Sequence, residues 1–235
     1  MSILDKLFNE EKDWSIPASI LLGSIIIAIS ISVGANKIAG GSPLAKGAVV
    51  QGQQNLPAEK VDLEDRLYAP SIGKGKVEVV EFTDFQCPFC QKFFEETYTS
   101  IKAKYIDTGK VKFIVRHFPL SFHKNAQKAS EAAECAHRQG RFFPYHDILF
   151  SKGQSDGAGL DIVDLKKYAS DLGLDTAKFN KCLDNGEAEA AVKQDFDAGN
   201  KAGVSGTPTF FINGKRVVGA LPLADFEKEL ETALK

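Results

Sequence analysis

A run of β-branched and aromatic residues, Val77-Glu78-Val79-Val80-Glu81-Phe82-Thr83-Asp84-Phe85-Gln86, ends in Cys87-Pro88-Phe89-Cys90, and Gln91-Lys92-Phe93-Phe94-Glu95-Glu96 follows at once. A buried strand, a tight Cys-x-x-Cys and a helix opening in that order distinguish a redox pair from two ordinary cysteines. Pro88 suits the first helical position, since it has no N–H to leave unpaired and its φ is preset. Cys87 is then expected at the helix N-terminus, where unpaired N–H groups and the helix dipole favour negative charge. A thiolate there has a lowered pKa and becomes both a better nucleophile and a better leaving group. Cys90, one turn on, is close enough to close a short disulfide on Cys87.

Two other uses of such a pair fit less well. A structural zinc site needs four ligands, usually from two such pairs, and no second Cys-x-x-Cys exists in the chain. A purely structural bridge over two intervening residues constrains little chain entropy.

With 235 residues the chain has room for one sizeable core and an appendage. Its first fifteen residues set Lys6 and Lys12 against Asp5, Glu10, Glu11 and Asp13, which accounts for the formal net charge of −2. The remainder has no basic excess, so nucleic acid is not an expected partner.

No charge occurs between Asp13 and Lys37. The apolar stretch inside that interval is long enough to cross a bilayer as a helix, and Trp14 falls where an interfacial aromatic belongs. Residues 1–15 are therefore expected as a cytoplasmic segment, 16–35 as a single transmembrane anchor and 36–71 as a linker. The linker assignment rests on Gly40-Gly41-Ser42-Pro43, Gln51-Gly52-Gln53-Gln54-Asn55 and Ala69-Pro70. A cleaved signal peptide is the rival, with Val33-Gly34-Ala35 as its cleavage site. Against it, the uncharged run exceeds a usual signal core and its leading flank is acidic. Lysine counts orient the helix poorly, so the redox pair decides: disulfide chemistry belongs on the non-cytosolic face.

Beyond the cysteines, Val111, Phe113 and Val115 alternate with Lys112, Ile114 and Arg116, a strand whose second face is mostly buried. Two strands separated by a helix make a βαβ unit. From His123 to about Asn200 the pattern is almost wholly helical, with stretches near Ile162–Leu172, Thr176–Leu183 and Glu187–Ala202. Strand character returns at Pro208-Thr209-Phe210-Phe211-Ile212, Asn213-Gly214 is a strong hairpin signal, Arg216-Val217-Val218 is its partner, and Leu223 to Leu234 reads as a closing amphipathic helix. The expected fold class is α/β, a thioredoxin fold over 72–235 with an inserted α-helical subdomain at about 120–202, preceded by a transmembrane helix and linker.

Cys87-Pro88-Phe89-Cys90 after Glu81-Phe82, the helical insertion, and Gly203-Val204-Ser205-Gly206-Thr207-Pro208-Thr209-Phe210 together resemble the DsbA-like thioredoxin family. The resemblance covers roughly Ile72 to the C-terminus. It implies that Pro208 is a cis-proline facing the disulfide and that the backbone at Thr207 receives substrate peptide by strand-like pairing, with Pro88 and Phe89 beside it. It also implies that Glu81 is a buried acid near the inner cysteine, moving a proton on or off Cys90. The family's best-known oxidase has His where this chain has Phe89. Phe89 neither hydrogen-bonds nor carries charge, so the Cys87 pKa is expected to be less depressed and the disulfide less oxidising than in that relative.

Cys135 and Cys182 both fall in the helical block and are expected to form a structural disulfide, closing a loop of about fifty residues worth roughly 4 kcal/mol. Two buried free thiols are the alternative. His117, His123, His137 and His146 show no metal-ligand spacing and are expected at the surface or at helix ends, with a place near the motif open to His117 or His123. The expected activity is extracytoplasmic thiol:disulfide exchange with cysteine-containing exported proteins through a mixed disulfide at Cys87, resolved by Cys90, with no organic cofactor and no metal. A membrane redox partner, quinone-linked in the family pattern, recycles the pair. Reductase or isomerase action at the same site, and a non-catalytic peptide-binding or chaperone module, are the alternatives.

Overall fold

The strand expected before the cysteines is the centre of the sheet. In the computed structural model, which describes residues 68–235, β2 (Val77–Thr83) is buried along almost its whole length. It pairs in parallel with β3 (Val111–His117) and antiparallel with β4 (Thr209–Ile212). β1 (Ser71–Ile72) and β5 (Lys215–Val218) are the edges, giving the order β1-β3-β2-β4-β5. β1 straddles the boundary drawn at 71/72: Ser71 pairs with Ile114, and the Val115 N–H donates to the Pro70 carbonyl. The expected segments 1–15 and 16–35, and all but the last residues of the linker 36–71, lie outside the described residues. Among the described residues no helix is long and apolar enough to cross a membrane.

Strand alternation divides the core in two. Val77 and Val79 of β2, Val111, Phe113 and Val115 of β3, and Phe210 and Ile212 of β4 belong to the larger cluster, which also takes in Cys90, Phe93 and the inserted helices. Val80, Phe82, Ile114 and Phe211 belong to a smaller cluster on the other face, with Phe118 and Val204. Since a sheet covered on both faces reads as a near-continuous apolar run, β2 has no polar stripe. Its one ionisable residue facing the larger cluster is Glu81.

After the cysteines, α1 (Pro88–Phe93) runs on through a π-helical Phe94–Tyr98, the short α2 (Thr99–Ile101) and a second π-helical stretch, Lys102–Ile106. The insertion is five helices: α3 (Ala126–His137), α4 (Phe142–Lys152), α5 (Ile162–Asp171), α6 (Thr176–Asp184) and α7 (Glu189–Lys201). α7 covers the smaller core. Asp195 forms a fully buried ion pair with Arg116 of β3 there, and also accepts a 3.0 Å bond from the His117 N–H. Gly199 lies so close to the sheet that a Cβ would stand 2.6 Å from the Phe118 ring.

Asn213 and Gly214 both have positive φ, 46° and 85°, as a two-residue hairpin between β4 and β5 requires. α8 (Leu223–Ala233) closes the larger core, with Phe226 against Phe93 and Phe210 at ring separations of 5.3 and 5.0 Å.

Candidate active site

Cys87 is the N-cap of α1, in extended conformation with φ −74° and ψ 124°, and Pro88 occupies the first helical turn. Its placement follows from the end of β2: the Cys87 N–H donates 3.1 Å to the Asp84 carbonyl, and the Cys87 carbonyl accepts from the Gln91 N–H at 3.1 Å. The Cys87 thiol is buried and donates to the Thr207 carbonyl across 3.3 Å. The Thr207–Pro208 peptide is cis. Pro208 is buried, whereas Pro88 and Phe89 lie at the surface, Phe89 60% exposed. Cys87, Thr207, Pro208, Pro88 and Phe89 are therefore brought together at one end of the sheet.

Cys90 sits one turn deeper, fully buried, and both Cys87 and Cys90 are free thiols. The two sulfurs are held in opposite states. The Cys90 thiol beside it lowers Cys87 to about 6, partial burial opposes this, and the Thr207 side chain and the N–H groups of Phe89 and Cys90 add to the lowering. Burial pushes Cys90 well above its ordinary value, and the negative charges of Cys87 and Glu81 push it further. One thiol is thus poised as a thiolate at neutral pH and its partner as a protonated thiol.

Glu81 is 2% exposed and lies under α1, on the same face of β2 as Val79. Burial raises its pKa to about 8, with a smaller downward pull from the Thr83 hydroxyl and an upward push from Cys87. Among the described residues no donor reaches its Oε1. It is an acid that keeps its proton at neutral pH and interacts electrostatically with both sulfurs.

Several polar residues beside the site carried no signal in the sequence. Asp84 accepts from the Gln86 N–H (2.8 Å) through Oδ1, from the Leu120 N–H (2.8 Å) through Oδ2, and lies 2.7 Å from His123 Nδ1. Gln86 and Asn125 tie the same turn to the helical insertion. The one available hint was position, because Asp84 and Gln86 interrupt an apolar run immediately before a reactive cysteine. The histidines need correcting. His117 and His146 are 0% and 2% exposed, not at the surface. His117 lies 3.5 Å from Glu134, and His146 packs among Phe85, Phe94, Tyr98, Phe142 and Phe150. Among the described residues no group of three or more His, Cys, Asp or Glu is placed to hold a metal ion.

Away from the site, Cys135 of α3 and Cys182 of α6 are joined by a disulfide of 1.99 Å with Cα atoms 5.9 Å apart. It fastens two helices of the insertion to each other.

The family described as Thioredoxin matches residues 70–232. The Na(+)/H(+) antiporter NhaA 3 of Salinispora tropica is 37% identical over 153 residues, covering 65% of this chain and 22% of the antiporter. The chain thus spans less than a quarter of that relative's length. Disulfide bond formation protein D of Bacillus subtilis is 29% identical over 209 residues, 85% of this chain and 83% of that protein. Among solved structures, oxidised BdbD of Bacillus subtilis superposes with a TM-score of 0.65 at 27% identity, covering 72% of this chain and 94% of BdbD. α-DsbA1 of Wolbachia pipientis gives 0.60 at 26% identity, covering 72% and 95%. With the redox pair, the cis-proline loop and the helical insertion all on one sheet, the chain belongs to the thioredoxin family, in its DsbA-like form.

Proposed function

We propose that the protein is a thiol:disulfide oxidoreductase acting on the cysteines of exported proteins, tethered to the cell membrane by residues 16–35 with its thioredoxin domain on the extracytoplasmic side. The observation that carries this is the pairing of Cys87, at the helix N-terminus and against the Thr207 carbonyl, with Cys90 buried behind it. The name of the Bacillus subtilis relative, disulfide bond formation protein D, supports the same chemistry.

In the oxidising direction a substrate thiolate attacks Cys87 Sγ of the Cys87–Cys90 disulfide. The S–S bond breaks and its electron pair leaves on Cys90, which takes up the proton held by Glu81. A second substrate thiolate then attacks the substrate sulfur of the mixed disulfide, and Cys87 leaves as a thiolate. The low pKa of Cys87 makes it the better leaving group in this second step. In the reducing direction the same atoms move in reverse: Glu81 accepts the Cys90 proton and Cys90 resolves the mixed disulfide. The exposed Phe89 and Pro88 flank the approach to Cys87, and the Thr207 backbone offers an acceptor to an extended peptide.

The poise favours oxidation in moderation. Reference values of about 7 for a reductive thioredoxin and about 3.5 for a strong oxidant bracket the value of about 6 at Cys87. The Phe89 side chain supplies no polar contact to the thiolate. The lowering comes from the neighbouring thiol, the Thr207 side chain and backbone N–H groups.

Cys90→Ala expressed in cells tests the activity. Reductant-sensitive covalent adducts between Cys87 and other proteins are expected. Their absence, with the variant folded and Cys87 reactive toward iodoacetamide, would leave a peptide-binding module as the function. A reduction potential as oxidising as that of a His-containing relative would defeat the moderate poise.

A further inference from the structure

The residue that precedes the nucleophile is gripped by the helical insertion. Gln86 is 5% exposed. Its backbone N–H donates to Asp84 Oδ1 at 2.8 Å, which holds it in the turn leading to Cys87. Its side chain is spent on the insertion: Oε1 accepts from the Asn125 N–H at 2.8 Å, and Nε2 donates to the Ser155 carbonyl at 3.3 Å. Asn125 grips the same loop, its Nδ2 donating to the Gly157 carbonyl at 2.9 Å. On the far side of the redox pair, Gln91 Nε2 reaches the Gly153 carbonyl at 3.4 Å. The loop 153–157 is therefore bonded to the residue before Cys87 and to the residue after Cys90.

The loop also fits its clamp closely. Gly157 has φ +93°, and a Cβ there would stand 3.0 Å from Asn125 Nδ2 and 3.2 Å from Gln86 Nε2. A buried, fully used amide with no titratable group is not needed for exchange chemistry. Its placement is nonetheless such that any shift of the loop 153–157 is passed along the backbone to the reactive sulfur.

We propose that Gln86 is a positioning residue through which the loop 153–157 holds Cys87 at the helix N-terminus. The contacts that stabilise the thiolate are short-range and angle-dependent hydrogen bonds, so they weaken when the sulfur wanders. Loosening the clamp costs the reduced form more than the disulfide form, whose geometry is fixed by the S–S bond itself. The pair becomes less oxidising.

The inference rests on the exchange activity proposed above. In the full chain, Gln86→Ala removes both side-chain contacts without changing charge. Equilibration against a glutathione redox buffer is read by trapping free thiols. In it, glutathione disulfide is reduced to two thiols as Cys87 and Cys90 give up two electrons and two protons to form their bond. The expected result is a shift of about threefold to tenfold toward the Cys87–Cys90 disulfide, the scale of one or two neutral hydrogen bonds. The ultraviolet titration of the Cys87 thiolate moves upward from about 6 in step with it.

A purely structural role would lower the melting temperature equally in both redox forms and leave the equilibrium constant and the titration in place, which overturns the proposal. Gly157→Ala pushes the loop and the clamp apart while leaving residue 86 itself unsubstituted. It gives the same two readouts if Gln86→Ala does not fold. A wild-type chain that fails to exchange with glutathione defeats the oxidoreductase function itself. An exchanging wild type beside unmoved variants defeats the role of Gln86 alone.

Discussion

At the scale of single residues, the proposed mechanism makes the carboxyl group of Glu81 and the two sulfurs one proton-handling unit. Glu81 retains its proton up to about pH 8 because burial disfavours its charge. Glu81→Gln keeps the shape and removes the transferable proton. Single-turnover oxidation of a cysteine peptide at neutral pH is expected to slow by about a hundredfold, the low end of what a positioned acid contributes. An unchanged rate would remove Glu81 from the mechanism. The same residue sets a pH dependence of stability. Its pKa rises from 4.5 in the unfolded chain to about 8 in the folded one, so the folded state holds the extra proton between those values. Stability from this group is complete below 4.5 and is lost as pH rises toward 8, a slope that Glu81→Gln should lack in denaturant melts. Burial of Glu81 was legible because Val79, Val80 and Phe82 surround it in sequence. Asp84 and Gln86 were not, since a polar residue at a strand end looks the same whether it meets water or, as Asp84 does, two backbone N–H groups and a histidine ring.

At the scale of elements, periodicity located strands and helices well wherever it ran for several residues. It was silent on β1, whose two residues have no period, and on the π-helical turns after Phe93, which keep a helical pattern while shifting the hydrogen bonds by one residue. α7 shows what a sequence pattern omits. Gly199 sits in the last turn of the helix, where it costs helix propensity, and the reason is that the Phe118 and Phe82 rings occupy the space of its side chain. Gly199→Ala should raise helix propensity yet destabilise the protein by about 1–3 kcal/mol through overpacking, measured by denaturant unfolding. A stabilised variant would show that α7 is free to move off the sheet. The Cys135–Cys182 bridge, with a sequence separation of 47, ties α3 to α6. Replacing both cysteines by Ala is expected to lower stability by about 4 kcal/mol in the chain-entropy account. The Cys87 titration should stay where it is, because none of the groups that set it belongs to α3 or α6.

At the scale of the whole molecule, the redox chemistry and its compartment are decided by different parts of the chain. The thioredoxin domain carries a complete exchange site. A disulfide such as Cys135–Cys182 persists only where glutathione and thioredoxin do not reduce it. In the proposed reading, the uncharged interval between Asp13 and Lys37 places the domain there. An anchored chain and a chain cleaved after Ala35 differ in ways that can be measured together. Expressed from Met1, the anchored protein stays in the membrane pellet after alkaline washing, retains residues 1–35, and yields to protease added outside the cytoplasmic membrane. Cleavage would instead release a soluble product beginning at Asn36. The anchored outcome is expected, because the leading segment is acidic and the apolar run is too long for a usual signal core. It has a chemical consequence as well. An anchor confines the Cys87–Cys90 pair to a layer beside the membrane, where a membrane-embedded oxidant can recycle it at a high effective concentration. Replacing 1–35 with a cleavable signal peptide should then leave exchange with glutathione unchanged while the steady-state pool of Cys87–Cys90 in cells shifts toward the dithiol.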